Sequence, residues 1–320
     1  ERINTEIPNS SRVVSIDLQG RNLILTGGNG CGKTQLLEFL YQSLADKVLH
    51  KRNPNEKDLV RRVENYRRQL KDMRRSQSNY LAVENALNEC LYELNKISNP
   101  AMIVSDIDRF AIRFDEHKAL CSKFNAARQA NIRESKASVS KEALVKQMQK
   151  NSSGGEAVML FEEYLVSQKT AQAYADSPAI DNEPEKARKI KSWFDKLQDD
   201  FRLLFEDHTL EFLFDSRIQA FLIKQEGKEP YRLQQLSSGF SSILSVYADL
   251  LTQVELRSVK PNEVDGVVFI DEIEAHLHVS LQRNILSFLT KAFPNVQFIV
   301  ATHSPFVVSS VSDAVIYDLT

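Results

Sequence analysis

An eight-residue glycine-rich stretch, GGNGCGKT at residues 27–34, has the composition and spacing to bind phosphate. Four residues separate Gly27 from Gly32, and Lys33 and Thr34 follow directly, which is the P-loop pattern. Glycines let backbone N–H groups turn toward phosphate oxygens, and the N-terminus of a following helix adds positive potential. In that arrangement Lys33 would contact the β- and γ-phosphates and Thr34 would bind Mg²⁺. The alternative is a glycine-rich turn before an ordinary helix.

The segments on either side of this loop satisfy the strand-then-helix context that the motif requires. An apolar run at Leu23–Leu25 predicts a strand before the loop, and leucines at helical spacing from Leu36 to Leu44 predict a helix after it. The sequence therefore favours phosphate binding. The residues predicted to bind nucleotide here are Gly28, Asn29, Gly30, Cys31, Gly32, Lys33, Thr34 and Gln35.

Two carboxylates follow a second apolar run, Val267–Ile270, in the segment GVVFIDEIEAHLH. A run this apolar predicts a strand buried on both faces, and α/β sheets bind ligands at the carboxyl ends of their strands. Asp271 is placed to hold Mg²⁺ through water, and Glu272 is the better candidate to polarise the attacking water. A strand capped by two solvated acids is the alternative, and the nearby P-loop pattern disfavours it.

A third apolar run, Val296–Ala301, ends in Thr302, His303 and Ser304. A single histidine is more often structural, but this one follows a predicted parallel strand. Its position predicts that the imidazole contacts a γ-phosphate or the water that attacks it.

Small residues precede a long helical pattern in the segment LQQLSSGFSSILSVYADLL. Ser237, Ser238 and Gly239 at the start of that helix would form a second anion site, because the first N–H groups of a helix have no partner within it. A plain helix N-cap is the more common explanation of such a triplet. The order of the four motifs along the chain favours the anion site.

The order P-loop, LSSG, VVFIDE, ATHS resembles that of the ATP-binding-cassette (ABC) ATPases. DEIEAHLH and ATHSPF are similar to the corresponding sequence motifs of the non-transporter branch, which includes the Rad50, SMC, RecF and OLD-type proteins. That branch also includes ATPase subunits of bacterial anti-phage systems, such as PtuA of Septu and retron systems and AriA of PARIS. The resemblance implies an α/β fold, a P-loop ABC-ATPase head with a mixed sheet plus an inserted α-helical hairpin or short coiled coil. Residues 1–50 and 200–320 would form the head, and residues 51–199 the insertion.

The same resemblance implies a role for individual residues. Lys33 and Thr34 match the Walker A pair, Asp271 and Glu272 match the Walker B aspartate and catalytic glutamate, and His303 matches the switch histidine. Catalysis would therefore involve Glu272, His303 and Lys33. Metal binding would involve Thr34 and Asp271.

In ABC ATPases the signature residues, here Ser237 and Gly239, contact the γ-phosphate bound by the opposite subunit. The resemblance thus implies a head-to-tail homodimer holding two ATP molecules with Mg²⁺, and Glu274–His276 fall where a D-loop would cross its interface. Three features depart from the family pattern. Ser238 stands where the first signature glycine is expected, a common form in this branch. Phe240 stands where Gln or Glu is expected, and the run Ala101–Phe110, where a Q-loop strand is expected, contains no glutamine.

The stretch between the two parts of the head has a helical character of its own. Apolar residues recur at alternating steps of three and four from Leu59 to Met73 and again from Tyr80 to Ile97. This spacing predicts an antiparallel helical hairpin that turns near Ser76–Asn79, or one continuous helix, with plain surface helices as the alternative. The sequence NSSGG at 151–155 predicts a flexible connection.

Residues 51–75 contain ten Lys or Arg and four Asp or Glu, whereas the whole chain has a formal net charge of −2. A local positive excess of this kind indicates a nucleic-acid phosphate backbone, DNA or RNA, as a ligand. A solvated helix face and a surface for an acidic protein are the alternatives. Tyr66 is the single aromatic residue of the segment, so base stacking is not indicated.

The bulk composition excludes several classes of protein. The chain has 320 residues, of which 42% are hydrophobic and 26% are charged, as is ordinary for a globular protein. It has no apolar run near the ~18 residues of a membrane helix. The first residues lack a secretory signal pattern, and three cysteines fit neither a disulfide framework nor a zinc site. A cytoplasmic location is expected.

The resemblance to ABC ATPases implies an ATPase whose dimer engages on binding ATP and relaxes on hydrolysis. Its expected role is that of a sensor or regulatory ATPase that controls a partner nuclease, of HNH type if the chain is like PtuA. A nucleotide-locked scaffold with little turnover and a RecF- or Rad50-like DNA repair ATPase are the alternatives. A transporter subunit is disfavoured by the large insertion. No second acidic cluster follows His303, so nuclease activity would come from a partner or from missing residues.

Overall fold

The computed structural model describes residues 2–8, 10, 12–48, 56–73, 79–98, 102–104, 106–150 and 156–320. The predicted turn at residues 76–78 and the predicted flexible connection at 151–155 lie outside these ranges, as do the basic residues at 51, 52, 74 and 75.

Strands and helices alternate along most of the described chain. The strands are β1 (Arg2–Glu6), β2 (Val13–Asp17), β3 (Asn22–Thr26), β4 (Met102–Ile103), β5 (Ala119–Phe124), β6 (Glu211–Asp215), β7 (Ala220–Lys224), β8 (Tyr231–Arg232), β9 (Asp265–Ile270), β10 (Val296–Ala301) and β11 (Ala314–Asp318). The helices are α1 (Lys33–Val48), α2 (Glu56–Asp72), α3 (Tyr80–Ser98), α4 (Ile107–Asp115), α5 (Lys141–Lys150), α6 (Phe161–Asp176), α7 (Pro184–Phe205), α8 (Ser238–Leu256), α9 (Val279–Ala292) and α10 (Pro305–Val308).

The chain divides into two compact units, a smaller one of residues 1–20 with 32–114 and a larger one of residues 21–31 with 115–320. This division differs from the predicted insertion at 51–199, because part of that range belongs to the larger unit. Strand β5 is almost fully buried and pairs along its whole length with β9. Its apolar residues therefore form part of the sheet and not part of a helical insertion.

In the smaller unit, β1 pairs antiparallel with both β2 and β4 to form a three-stranded sheet. Strand β2 alternates exposed and buried residues, with Val14 and Ile16 buried, as expected when one face of a sheet is covered. In the run 101–110, which was expected to form a strand, the described residues contribute Met102–Ile103 to the sheet, and α4 begins at Ile107.

Helices α2 and α3 of the smaller unit pack against each other. Their shared core contains the buried residues Leu59, Val63 and Cys90, and Tyr66 and Leu87 pack against it. These residues belong to the apolar series that predicted the two helices. The structure thus has two packed helices, α2 and α3, and not one continuous helix.

The larger unit is built on a five-stranded parallel sheet with the order β11-β3-β10-β9-β5. This sheet confirms the predicted α/β class. Strand β9 lies between β10 and β5, and every residue from Gly266 to Ile270 is buried. The apolar run that predicted a two-face-buried strand is therefore explained by its central position.

A second sheet of the larger unit, with the order β6-β7-β8, is antiparallel. Helix α8 belongs to the same core, and nearly all of its residues from Ser242 to Leu256 are buried. Among the described residues, no helix combines the length and the apolar composition that crossing a bilayer requires.

Helix α8 carries a fully buried carboxyl group at Asp249. This carboxylate accepts hydrogen bonds from the backbone N–H of Val158 at 3.0 Å and from Nε2 of Gln253 at 2.7 Å. Burial nevertheless raises the pKa of Asp249 to about 6, because the charged form loses its hydration. The folded state therefore binds this proton more tightly than the unfolded chain does.

The substitution Asp249→Asn tests that difference in proton affinity. The carboxyl pKa is about 3.9 in an unfolded chain, so wild-type stability falls as pH rises from about 4 to about 6. An amide does not titrate. The difference in unfolding free energy, wild type minus variant, is therefore expected to fall by on the order of 2 kcal/mol across that window. Urea denaturation at several pH values measures it.

Asp215→Asn is the matched control for this experiment. The side-chain hydrogen bond from Arg217 lowers the pKa of Asp215 to about 2, so this carboxyl titrates below the window. The stability difference for the control should therefore stay flat above about pH 5. Equal pH dependence in the two variants would contradict the assignment to Asp249.

Candidate functional site

Three neighbouring parallel strands, β3, β10 and β9, end at the same edge of the sheet. The segments that follow them are tied together just beyond the strand ends. Thr302 N donates to Leu25 O at 3.0 Å, and Ile273 N donates to Ala301 O at 3.2 Å. The loop that starts at Gly27, the Asp271–Glu272 pair and the segment with His303 therefore lie along one edge of the larger unit.

The loop after β3 has a backbone conformation that requires glycine at its start. Gly27 has φ +134, and a Cβ there would lie 2.9 Å from Sγ of Cys31 and 3.2 Å from Oδ1 of Asp318. Gly28, which follows it, is exposed, as are Asn29 and Gly30. Cys31 N donates to the carbonyl of Gly28 at 3.5 Å, so the loop turns back on itself.

The glycine-rich motif at 27–34 crosses the boundary between the two units, which falls between Cys31 and Gly32. In the smaller unit, helix α1 begins at Lys33, and Leu36 N donates to the carbonyl of Gly32 at 2.9 Å. Gly32 has φ +99, and a Cβ there would lie 3.0 Å from Cγ2 of Ile7. Thr34 and Gln35 are exposed in the first turn of this helix, where N–H groups favour anions.

Asp271 is the buried acid of the site, with 7% of its surface exposed. Its Oδ1 atom has no hydrogen-bond partner among the described residues. An orphaned buried carboxylate oxygen is costly, and a water bound to Mg²⁺ would satisfy it. No group of three or more His, Cys, Asp and Glu gathers as a metal site within the described ranges. Mg²⁺ usually takes one or two carboxylates together with waters and substrate phosphates.

Glu272 differs from Asp271 in both backbone and environment. Its φ of +43 lies in the left-handed region, which is uncommon for a residue with a side chain. Its carbonyl accepts from Ala275 N at 2.8 Å, which closes a turn directly after β9. The side chain is partly exposed, and its carboxylate accepts no hydrogen bond within the part of the chain that the structure describes. It is therefore available to a water molecule.

Glu274 is committed to partners of its own chain. Its carboxylate accepts from Oγ1 of Thr302 at 2.7 Å and from the backbone N–H of His303. Glu274, which was predicted to lie in a D-loop, thus binds the start of the segment that carries His303. Ser304 caps α10 through the N–H groups of residues 306 and 307, and its hydroxyl donates to Gln282 at 2.6 Å. His303 itself is exposed at the sheet edge.

The predicted signature residues lie at the start of α8. Ser237 is the N-cap and Ser238 the first helical residue, and both are exposed. A Cβ on Gly239 would lie 2.8 Å from the carbonyl oxygen of His276, so the helix start and the turn after β9 approach closely in one chain. A larger residue at this position would require one of them to move.

Phe240 has a packing role that explains its departure from the family pattern. Its ring is stacked on that of Phe205 in α7, with centroids 4.1 Å apart and planes at 6°. Such a stacked pair stabilises the fold by about 0.5–1.5 kcal/mol beyond the effect of the apolar area that it buries. Phe240 thus packs α8 against α7 and offers no polar group to a ligand.

Sequence reasoning missed the residues that follow β5. Because β5 is the neighbour of β9, its carboxyl end lies at the same edge, and the segment 125–130 begins there. Asp271 N donates to Phe124 O at 2.9 Å, and Nη1 of Arg128 donates to Asp271 O at 2.8 Å. The segment also contains Gln129, which is exposed. The available signal was the apolar run ALCSKF followed by a polar stretch, but its place in the sheet depends on a distant strand.

A parallel sheet with a glycine-rich loop and paired acids at its carboxyl edge defines the P-loop class of α/β domains. A family profile described as "AAA domain, putative AbiEii toxin, Type IV TA system" matches residues 51–309, which is most of the chain. The chain belongs to this family. The match does not include the glycine-rich loop at 27–34.

Several curated proteins are similar over part of the chain. "Retron Ec83 probable ATPase" of Escherichia coli is 46% identical over 87 residues, or 26% of this chain and 16% of that protein. "Septu protein PtuA" of Bacillus mycoides (strain KBAB4) is 39% identical over 74 residues, or 23% and 10%. "Retron Vc95 probable ATPase" of Vibrio cholerae is 36% identical over 80 residues, or 24% and 16%. Each match thus covers a small part of the relative. The predicted resemblance to ATPases of anti-phage systems is confirmed.

Solved structures of SMC heads are more distant. An Smc head bound to the C-winged helix domain of ScpA is 14% identical with a TM-score of 0.43, and the match covers 99% of this chain and 93% of that one. An SMC head domain from Thermotoga maritima is 19% identical with a TM-score of 0.28, and the match covers 39% and 41%. Similarities at this level define neither a function nor an assembly for the chain.

Proposed function

We propose that this chain binds and hydrolyses ATP and serves as the regulatory ATPase of a bacterial anti-phage defence system. The observation that carries the proposal is the acidic edge of the parallel sheet. There Asp271 buries an oxygen that has no hydrogen-bond partner among the described residues, and the Glu272 carboxylate likewise accepts no hydrogen bond from them. The family and the names of the similar proteins support the same function.

Each residue would have a distinct part in the reaction. Water attacks the γ-phosphorus, the bond from that phosphorus to the β–γ bridging oxygen breaks, and ADP and phosphate leave. The carboxylate of Glu272 orients the water and accepts its proton. Lys33 and the N–H groups of the glycine-rich loop stabilise the phosphate charge, and His303 contacts the transferred group. Thr34 and Asp271 would hold Mg²⁺, which neutralises charge on the phosphates.

Glu272→Gln tests the assignment of the base. The amide keeps the shape of the side chain but accepts no proton, so ATP should bind normally while phosphate release falls at least about a hundredfold. Steady-state phosphate release and retention of labelled ATP after gel filtration measure the two effects.

The control for that substitution is Glu263→Gln, at an exposed residue that precedes β9 at the opposite end of the strand. It should leave turnover unchanged. Wild-type turnover in the Glu272 variant, or an equal loss in the control, would show that the base is misassigned.

We further propose that two copies join head to tail, with the signature of one copy completing the nucleotide site of the other. Ser237 and Ser238 are exposed at the N-terminus of a long helix, where N–H groups favour a phosphate. In the ABC ATPases that the sequence resembles, the phosphate at this position is bound by the opposite copy. The proposal therefore makes one chain insufficient for hydrolysis.

Mixing two inactive variants tests this shared site. Lys33→Ala and Ser237→Arg should each abolish hydrolysis alone. In a mixed dimer both defects fall in one site and the other site is intact, so activity should reappear in proportion to mixed-dimer formation. The control is a mixture of Lys33→Ala with the double variant, which contains no intact site. Failure of the first mixture to regain activity, with dimers present by light scattering, would refute the shared site.

The partner is proposed to be an effector nuclease, since retron and Septu proteins are among the relatives. The match to each relative is short, so the partner must be sought by experiment. Purification of the chain from its native host, with identification of proteins that co-purify, tests this. A partner without nuclease sequence motifs would count against it.

Nucleic acid is a second proposed ligand, through helix α2. Its exposed basic residues are Arg61, Arg62, Arg67, Arg68 and Lys71. Replacing Arg61 and Arg68 with Ala should weaken binding to a DNA duplex and lower the salt slope by about one for each lost phosphate contact. Fluorescence anisotropy at several salt concentrations measures both quantities.

The matched control replaces Lys186 and Arg188, two exposed basic residues of α7, with Ala. It should leave the salt slope unchanged. An equal effect of the two pairs would mean that binding depends on net charge and not on α2.

A further inference from the structure

Arg128 lies in the segment after β5 and makes an unusual number of hydrogen bonds to one turn. Its Nη1 atom donates to the carbonyl of Asp271 at 2.8 Å and to that of Asn125 at 3.0 Å. Its Nη2 atom donates to the carbonyls of Glu272 at 3.2 Å and Ile273 at 2.9 Å. One planar guanidinium thus holds three successive carbonyls of the turn that follows β9 and a fourth from its own segment.

The turn that Arg128 holds has a conformation that ordinary residues adopt rarely. Glu272 has φ +43, and a non-glycine residue persists in that region only when its surroundings fix it. The direction of the Glu272 side chain follows from this φ and from the two flanking peptide planes. Hydrogen bonds to the carbonyls of residues 271, 272 and 273 fix those planes.

The charge of the guanidinium suits this position. Burial lowers the pKa of Arg128 to about 10, and the nearby carboxylates of Glu274, Asp271 and Glu272 oppose that effect. The side chain therefore stays protonated at neutral pH. The positive guanidinium offsets the repulsion among the carboxylates of this turn. The Arg128 nitrogens donate to backbone carbonyls and not to the Glu272 carboxylate.

We propose that Arg128 is a positioning residue for ATP hydrolysis, which fixes the backbone of residues 271–273 so that the Glu272 carboxylate faces the attacking water. This inference rests on the proposed function for the reaction itself. Arg128 contacts the carbonyls and not the reacting atoms, so it acts through Glu272. Misplacing a catalytic group by about 1 Å costs on the order of a hundredfold in rate.

A second arginine provides a matched control. Arg257 is also partly buried and also donates to a backbone carbonyl, that of Ala119 at 2.9 Å. Ala119 is at the opposite end of the same strand, β5, away from the acidic edge. Arg257→Met removes a partly buried guanidinium that donates to a backbone carbonyl, and it leaves the contacts of the turn after β9 in place.

The experiment compares Arg128→Met, Arg128→Lys and Arg257→Met with the wild type. We expect Arg128→Met to lower kcat about tenfold to a hundredfold while the Kd for ATP changes less than about threefold. Arg128→Lys should be intermediate, because one ammonium cannot reproduce the planar fork. Arg257→Met should lose stability to urea without a comparable loss of kcat.

A double variant separates positioning from a general structural role. If Arg128 acts through Glu272, then adding Arg128→Met to Glu272→Gln should lower kcat little further, since the carboxylate is already absent. Multiplicative losses would overturn the inference. So would an equal fall of kcat in Arg128→Met and Arg257→Met, or a parallel loss of ATP affinity and kcat.

Hydrogen exchange gives a readout that does not depend on turnover. The amide of Ala275 is bonded to the carbonyl of Glu272, so its exchange reports on the turn. Arg128→Met should speed exchange in peptides that cover residues 271–277, and Arg257→Met should not. If the wild type hydrolyses no ATP, the proposed function fails, yet faster exchange still supports the hold of Arg128 on the turn. Unchanged exchange would overturn it.

Discussion

The parallel pairing of β9 between β10 and β5 is the constraint on which the rest of the larger unit depends. It buries β9 on both faces and brings the residues after three strands to one edge. The approach of β5 to β9 is close, since a Cβ on Gly266 would lie 2.9 Å from that of Leu120. Parallel strands of this kind require long connections, which here pass through helices. The turn that carries the acids of this edge therefore starts from a strand that is fixed in the sheet.

Three acids of this edge have different environments, and the differences follow from their partners. Asp271 is buried with an oxygen that meets no donor in the described part of the chain, and Glu272 is partly exposed in a turn where its φ is positive. Glu274 accepts hydrogen bonds from Thr302 and His303. Arg128 holds the backbone that carries the first two. Asp271, Glu272 and Glu274 thus differ in burial and in hydrogen-bond partners although they lie within four residues of one another.

Helix α8 connects this edge to the interior of the larger unit. Its N-terminus carries Ser237 and Ser238, which we propose as signature residues, and Gly239 approaches the His276 carbonyl closely. Farther along, the carboxylate of Glu255 accepts from the hydroxyl of Tyr164 at 2.9 Å and from the indole of Trp193 at 2.8 Å. Partly buried polar contacts of this kind favour one position of the helix, because leaving either partner unsatisfied is costly. The exposed serines at its start are therefore presented from a well-anchored element.

The sequence by itself determined the features that depend on short spacing. Glycines before Lys33, the apolar run before Asp271 and the heptad-like spacing of α2 and α3 are all local, so their strands and helices could be predicted from the residues. The tertiary structure alone decided that β5 lies beside β9, that Arg128 meets the turn at Glu272, and that residues 115–199 belong to the larger unit. The reason is that strand order depends on burial and pairing between segments more than a hundred residues apart, which no local pattern records.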